Sequence, residues 1–215
     1  MYDAKEILAS AKDIDGRMDF KCKRCGKCCK NREDVLLDGR DIYNIAKNLG
    51  RPIQYILERY CEVYVGPDSL LPLVRILPNK VTNDCPFLRN KKCSINENKP
   101  FICRLFPVGR ISAGDYKALY HLQNVSCGKA DEDYSIEDWL HRSNVPINDD
   151  YFLMKSEVTM SWGLKKDAIL GLSEEDKKII YHAFFHMFYI FDLEQDLLPQ
   201  AKENFGVLKN LINSL

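Results

Sequence analysis

At 215 residues, 46% hydrophobic and 29% charged, the chain is large enough to bury a substantial core and has an ordinary composition for a soluble globular protein. Its 31 basic residues balance 31 acidic ones, so no global field draws in nucleic acid or an anionic membrane. Nine cysteines, in a chain whose opening MYDAKEILASAKDIDG lacks the apolar core of a signal peptide, argue for metal or redox chemistry in a cytoplasmic setting rather than for disulfides.

Residues 3–14 read as a short helix with Ile7, Leu8 and Ala11 on one face. A cysteine loop occupies 21–32. In DGRDIYNIAKNLG, Ile42, Ile45, Ala46 and Leu49 follow the i, i+3, i+4, i+7 period of an amphipathic helix, and Gly50 is its natural stop. Pro52 suits the first turn of a second helix. Its stripe is Ile53, Ile56, Leu57, Tyr60, Cys61 and Tyr64. Cys61 on that buried face, far from other cysteines, reads as a small core residue.

LPLVRIL at 71–77 is strand-like. Residues 79–107 are rich in Asn, Lys, Cys and Pro, with little periodicity, and need something besides a core to order them. A hairpin is expected across 108–122, around the turn SAGD. The remainder reads as helical. Ser135 and Asp138 form a capping-box pattern, Asn148 is a candidate cap, Ser173 and Asp176 open a helix from Glu174 to about Phe191, and Pro199 starts the last one. The longest apolar run, 179–191, is too short to span a bilayer. Together these elements give an α+β class. An irregular cysteine-rich metal-binding domain with a short antiparallel sheet is expected over 1–145, and a helical region packed on it over 146–215.

Cys22, Cys25, Cys28 and Cys29 form C-x2-C-x2-C-C, a spacing that lets thiolates of one tight loop reach one metal. Gly26 frees the backbone to turn. Lys21, Lys23, Arg24, Lys27 and Lys30 are expected to favour the thiolate form. Cys85, Cys93, Cys103 and Cys127 follow downstream, three of them in the aperiodic stretch that a metal could order. Zinc and an iron–sulfur cluster such as 4Fe-4S both accept thiolates, and the sequence does not choose between them. C-x2-C-x2-C with the remote Cys85-Pro86 resembles a ferredoxin ligand run, except that Cys29 directly follows Cys28. Neighbouring side chains rarely point at one metal, which favours different ions for Cys28 and Cys29.

These motifs, with VLLDGRDIYNIAKNLGRPIQYILERY, CPFL-x4-CSINENKPFICRLFP and a late Cys-Gly, resemble the YkgJ-type cysteine-cluster family over about residues 18–130. The resemblance implies a zinc- or iron-chelating domain using Cys22, Cys25, Cys28, Cys29, Cys85, Cys93, Cys103 and Cys127, without Cys61. Flagellin lysine N-methylases look similar through a related pattern, which gives the alternative of a metal-dependent protein-modifying enzyme.

Other candidates are weaker. His182 and His186 have metal-binding i, i+4 spacing, but HAFFH lacks the glutamate of H-E-x-x-H and reads as a packed aromatic helix. That helix, near 179–191, offers a protein-partner or homodimer contact. Arg104 could pair with a thiolate, a carboxylate or an anionic ligand, or serve an ordinary salt bridge. Glu137 and Asp138 read as cap residues, and no paired carboxylates stand out. The basic loop lacks the interleaved aromatics of a nucleic-acid binder.

Overall fold

The computed structural model describes residues 4–31, 34–112, 118–125, 127–128 and 132–215. In chain order come α1 (Ala4–Ala9), β1 (Arg17–Met18), β2 (Leu36–Leu37), α2 (Gly39–Leu49), α3 (Ile53–Tyr60), β3 (Cys61–Val65), β4 (Pro72–Ile76), β5 (Leu88–Arg89), β6 (Lys92–Cys93) and α4 (Phe101–Leu105). They are followed by β7 (Val108–Ser112), β8 (Ala118–Leu122), β9 (Tyr134–Ser135), α5 (Ile136–Arg142), α6 (Asp150–Leu164), α7 (Lys166–Gly171), α8 (Glu174–Tyr189) and α9 (Leu197–Asn213). The class is α+β, with small antiparallel sheets: β2-β4-β3, and the pairs β1-β9, β5-β6 and β7-β8. No helix among the described residues is long and apolar enough to cross a membrane.

Local chemistry explains the boundaries of α2. The Asp38 side chain accepts from the Asp41 N–H at 3.0 Å, and the Asp41 carboxylate accepts from the Asp38 N–H at 3.2 Å. Gly50, at φ 59°, ends the helix in the left-handed region. Helix α3 stops earlier than its apolar stripe suggests. Cys61, Val63 and Val65 lie in β3, paired residue by residue with β4 from Cys61↔Ile76 to Val65↔Pro72. Sheet pairing overrides a helical period that two β-branched valines satisfy only weakly. Cys61 remains a core residue, 8% exposed, and burial alone pushes its thiol up to about 12.

Two apolar cores result. The larger is built jointly by residues between Val35 and Ile95 and by residues between Tyr151 and Ile212. The smaller gathers Met18 and Phe20 with residues from Phe101 to Val145. Here Trp139 donates to the Leu105 carbonyl at 2.8 Å, and the Tyr134 hydroxyl donates to the Phe20 carbonyl. Ser135 and Asp138 do form a capping box on α5. Asp149, rather than Asn148, caps α6 by accepting from the Phe152 N–H at 3.1 Å. Pro199 falls in the first turn of α9, which begins two residues earlier. The hairpin β7-β8 forms as expected from its strands, while most of its turn lies outside the described residues. The first helix is shorter than its pattern, and Leu8 is exposed.

Candidate metal centre

The cysteine loop docks on the short hairpin β5-β6. The Cys85 N–H donates to the Cys29 carbonyl at 2.8 Å, and the Asn31 N–H donates to the Asn83 carbonyl at 3.1 Å. Leu88 pairs with Cys93 across the hairpin, and the Leu88 N–H closes back on the Cys85 carbonyl at 2.9 Å. Gly26 makes the approach possible. Its φ is 72°, and a Cβ there would lie 2.9 Å from the Lys91 carbonyl oxygen. Gly128 plays the same part for Cys127, since a Cβ at its φ of 86° would collide with the Phe20 ring.

Cys28 and Cys29 sit on a 3-10 turn, Lys27–Cys29, with their sulfurs 4.0 Å apart. Adjacent side chains diverge on an extended segment, but this tight turn keeps the two together. Cys22, Cys25 and Cys28 are exposed, and Cys29, Cys85, Cys93, Cys103 and Cys127 are half-buried; all nine cysteines are free thiols.

The thiols sense one another in a consistent pattern. Contact with Cys28 pushes the Cys29 thiol well up; burial adds to this, and so do the charges of Cys28, Cys85 and Cys93. Burial raises Cys85 and Cys93, and Cys28 adds to both. Burial also raises Cys103, with contributions from Asp41, Cys85 and Cys28. Cys127 is raised by burial and then by Cys28, Cys25 and Cys22. Cys28 is therefore within electrostatic reach of both cysteine groups.

Within the loop the rise is at Cys29, and contact with Cys28 is its first cause. The five lysines and arginines at 21, 23, 24, 27 and 30 are exposed, where water screens them, whereas desolvation acts on the thiols directly. Among the described residues, no group of three or more His, Cys, Asp or Glu stands close enough to hold an ion as placed. The two observations agree, because charge coupling reaches well beyond a ~2.3 Å metal–sulfur bond.

The CxxCxxCC family, described as "Putative zinc- or iron-chelating domain", matches residues 21–128, half of the chain. The chain belongs to the CxxCxxCC family. It is also similar to an uncharacterized protein of Methanocaldococcus jannaschii, 28% identical over 168 residues that cover 74% of this chain and 76% of that protein. No solved structure matches it.

Within the CxxCxxCC match, the other candidate residues take structural positions. Arg104 donates to the Lys99 carbonyl at 3.1 Å and the Asn144 carbonyl at 3.3 Å, so it ties two backbone segments together. Outside the match, His182 and His186 are exposed on α8 with ring centroids 6.4 Å apart, while Ile180, Phe184 and Phe188 of that helix enter the main core.

Sequence reasoning missed a buried charged cluster behind the cysteines. Asp38 binds Lys155 at 2.7 Å, and Asp149 binds Arg40 at 2.8 Å and Arg110 at 3.3 Å. Burial works against the Asp38 carboxylate, but Lys155 and Arg40 outweigh it and hold it below the usual range. Asp41 receives hydrogen bonds from the Phe101 N–H at 2.7 Å and from Asp38; burial, with the charge of Asp38, lifts it to about 7. Asp38 and Asp41 stand within DGRDIYNIAKNLG without being singled out there. Their burial is a product of the fold.

Proposed function

We propose that the protein chelates zinc or iron through its eight clustered cysteines, with Cys28, Cys29, Cys85 and Cys93 as the four-thiolate core of the centre. The observation that carries this reading is the Cys28–Cys29 sulfur pair, 4.0 Å apart on a loop tethered through the Cys29 carbonyl to Cys85. Two thiolates bonded at ~2.3 Å to one tetrahedral ion stand ~3.8 Å apart, so this pair needs little adjustment. Cys29 feels Cys28, Cys85 and Cys93, the other members of the proposed core.

Cys22, Cys25, Cys103 and Cys127 would bring the thiols to eight, the number that two four-thiolate sites use. Zinc bound here would supply a redox-inert crosslink, and iron an electron-transfer centre. The chain's own contribution is a gradient of exposure. Exposed Cys22, Cys25 and Cys28 give an incoming ion its first ligands, and half-buried Cys85, Cys93 and Cys103 complete its dehydration. Because burial keeps the inner thiols protonated, loading releases protons, and affinity rises with pH. A reducing, cytoplasmic setting suits nine free thiols.

The test is anaerobic purification followed by zinc, iron and acid-labile sulfide analysis and a visible spectrum, on the wild type and on C29S and C61S. The reading expects at least one zinc or iron per chain, lost in C29S and retained in C61S. A metal-free wild type, or equal metal in C29S, overturns it.

A further inference from the structure

A cavity of about 330 Å³ is bounded by the β2-β4 edge, α4, the start of β7, α6 and α8. Its walls are mainly apolar, with Leu105, Phe152 and Phe188 prominent. Leu36 lines it while 41% exposed, so the apolar lining continues to the surface.

The polar lining is unevenly satisfied, and the deficit is at Arg110. This residue of β7 lines the cavity with its side chain 3% exposed, and its guanidinium lies over the Phe152 ring at 4.3 Å. Its Nη1 donates to Asp149 and to the Pro146 carbonyl, both at 3.3 Å, and its Nη2 to the Ile147 carbonyl at 2.8 Å. Among the described residues, its buried Nε–H has no acceptor. Its charge is also under-compensated, because Asp149 is shared with Arg40, which holds the other carboxylate oxygen at the shorter distance of 2.8 Å. The two carboxylates of the lining are engaged elsewhere. Asp38 pairs with Lys155 at 2.7 Å, and the Asp41 oxygens accept from the N–H groups of Phe101 at 2.7 Å and Asp38 at 3.2 Å. An unmet buried donor is costly, and a ligand that brings an acceptor removes that cost.

We propose that this cavity binds a small organic carboxylate, an apolar body whose carboxylate accepts from the Arg110 Nε–H. At about 30 Å³ per water-sized group, its 330 Å³ accommodate roughly eleven non-hydrogen atoms. The walls remove the apolar body from water. The carboxylate gains a charge-assisted hydrogen bond and supplies the negative charge that Arg110 otherwise shares with Arg40. Binding here does not depend on which metal the cysteines hold, or on whether they hold one.

The experiment is isothermal titration of the purified full chain with three probes of matched shape: 3-phenylpropanoate, 3-phenylpropanamide and 3-phenylpropylammonium. The carboxylate should bind at least about tenfold more tightly than the amide, its neutral isostere, with the ammonium weakest. R110Q should bring carboxylate and amide to similar affinity. T159W, which fills the cavity from α6, should abolish binding of all three with the metal content unchanged. In a proton–nitrogen correlation spectrum of the arginine Nε–H groups, the signal missing from R110Q should shift when the wild type is saturated with the carboxylate. If R110Q does not fold, the wild-type series and T159W still decide. Equal affinities for carboxylate and amide, a carboxylate preference that survives R110Q, or no binding up to millimolar probe overturns the proposal. Metal analysis of the same samples separates this result from the fate of the chelation reading.

Discussion

Replacing Asp149 with alanine tests whether the charged cluster behind the cysteines is a buried, interdependent unit. Asp149 is 3% exposed in its side chain, Arg110 is 3% and Arg40 is 14%, so solvent screens these pairs very little. Losing one member of such a pair costs about 3–5 kcal/mol, because the partner charge stays buried. The lost cap on α6 adds about 1 kcal/mol. Arg110 keeps the Ile147 and Pro146 carbonyls at 2.8 and 3.3 Å, and both guanidinium groups lie over aromatic rings, which offsets part of the loss. The net expectation is about 3–5 kcal/mol. With a urea slope of roughly 2–3 kcal/mol per molar, the unfolding midpoint falls by about 1–2.5 M at unchanged slope. D149N keeps a capping side chain and loses the charge, so it should fall between D149A and the wild type. K209A, which removes the half-exposed pair with Glu157, is the control and should cost about 0.2–1 kcal/mol. A loss below about 1 kcal/mol in D149A would refute the reasoning.

Asp41 should give stability a distinctive pH dependence. Its carboxyl is lifted to about 7 in the fold, so the folded chain retains a proton that the unfolded chain, titrating near ~3.9, releases. Stability from this group is therefore present at low pH, falls as pH rises from about 4 to about 7, and levels off above. D41N cannot ionise; relative to the wild type it should gain up to a few kcal/mol between about pH 5 and about pH 8, read from urea midpoints, and a constant difference would contradict the assignment. At Gly26, alanine meets both the left-handed backbone and the Lys91 carbonyl at 2.9 Å. G26A should cost about 1–2 kcal/mol or more and speed metal loss to a chelator; unchanged retention would show that the loop does not need this approach.

Much of the helical frame was legible because caps and apolar period agreed there. Asp38 to Gly50 and Ser135 to Arg142 are examples in which side-chain hydrogen bonds and burial point to the same boundaries. The failure at Cys61–Val65 has a specific cause: these residues pair with β4 in a hairpin, from Val65↔Pro72 to Cys61↔Ile76, and the apolar stripe of 53–64 taken by itself does not contain that partner. The cysteines could be offered as candidate ligands from spacing and family resemblance, but the burial of Cys85 and Cys93 could not be inferred from the sequence. Lysines adjacent in the chain point into water, while Cys85 and Cys93 are desolvated by a hairpin whose register the sequence does not display. The Asp38–Asp41–Asp149 cluster was missed for a related reason. Its cations, Arg40, Arg110 and Lys155, come from three elements far apart in the chain.

X-ray absorption at the zinc or iron edge of the anaerobically purified protein tests the central claim most directly. The account predicts a first shell made of sulfur, with four scatterers per metal at about 2.3 Å, and a reduced sulfur count in C29S or C85S. A shell dominated by nitrogen or oxygen, or a sulfur shell unchanged in both variants, would contradict it.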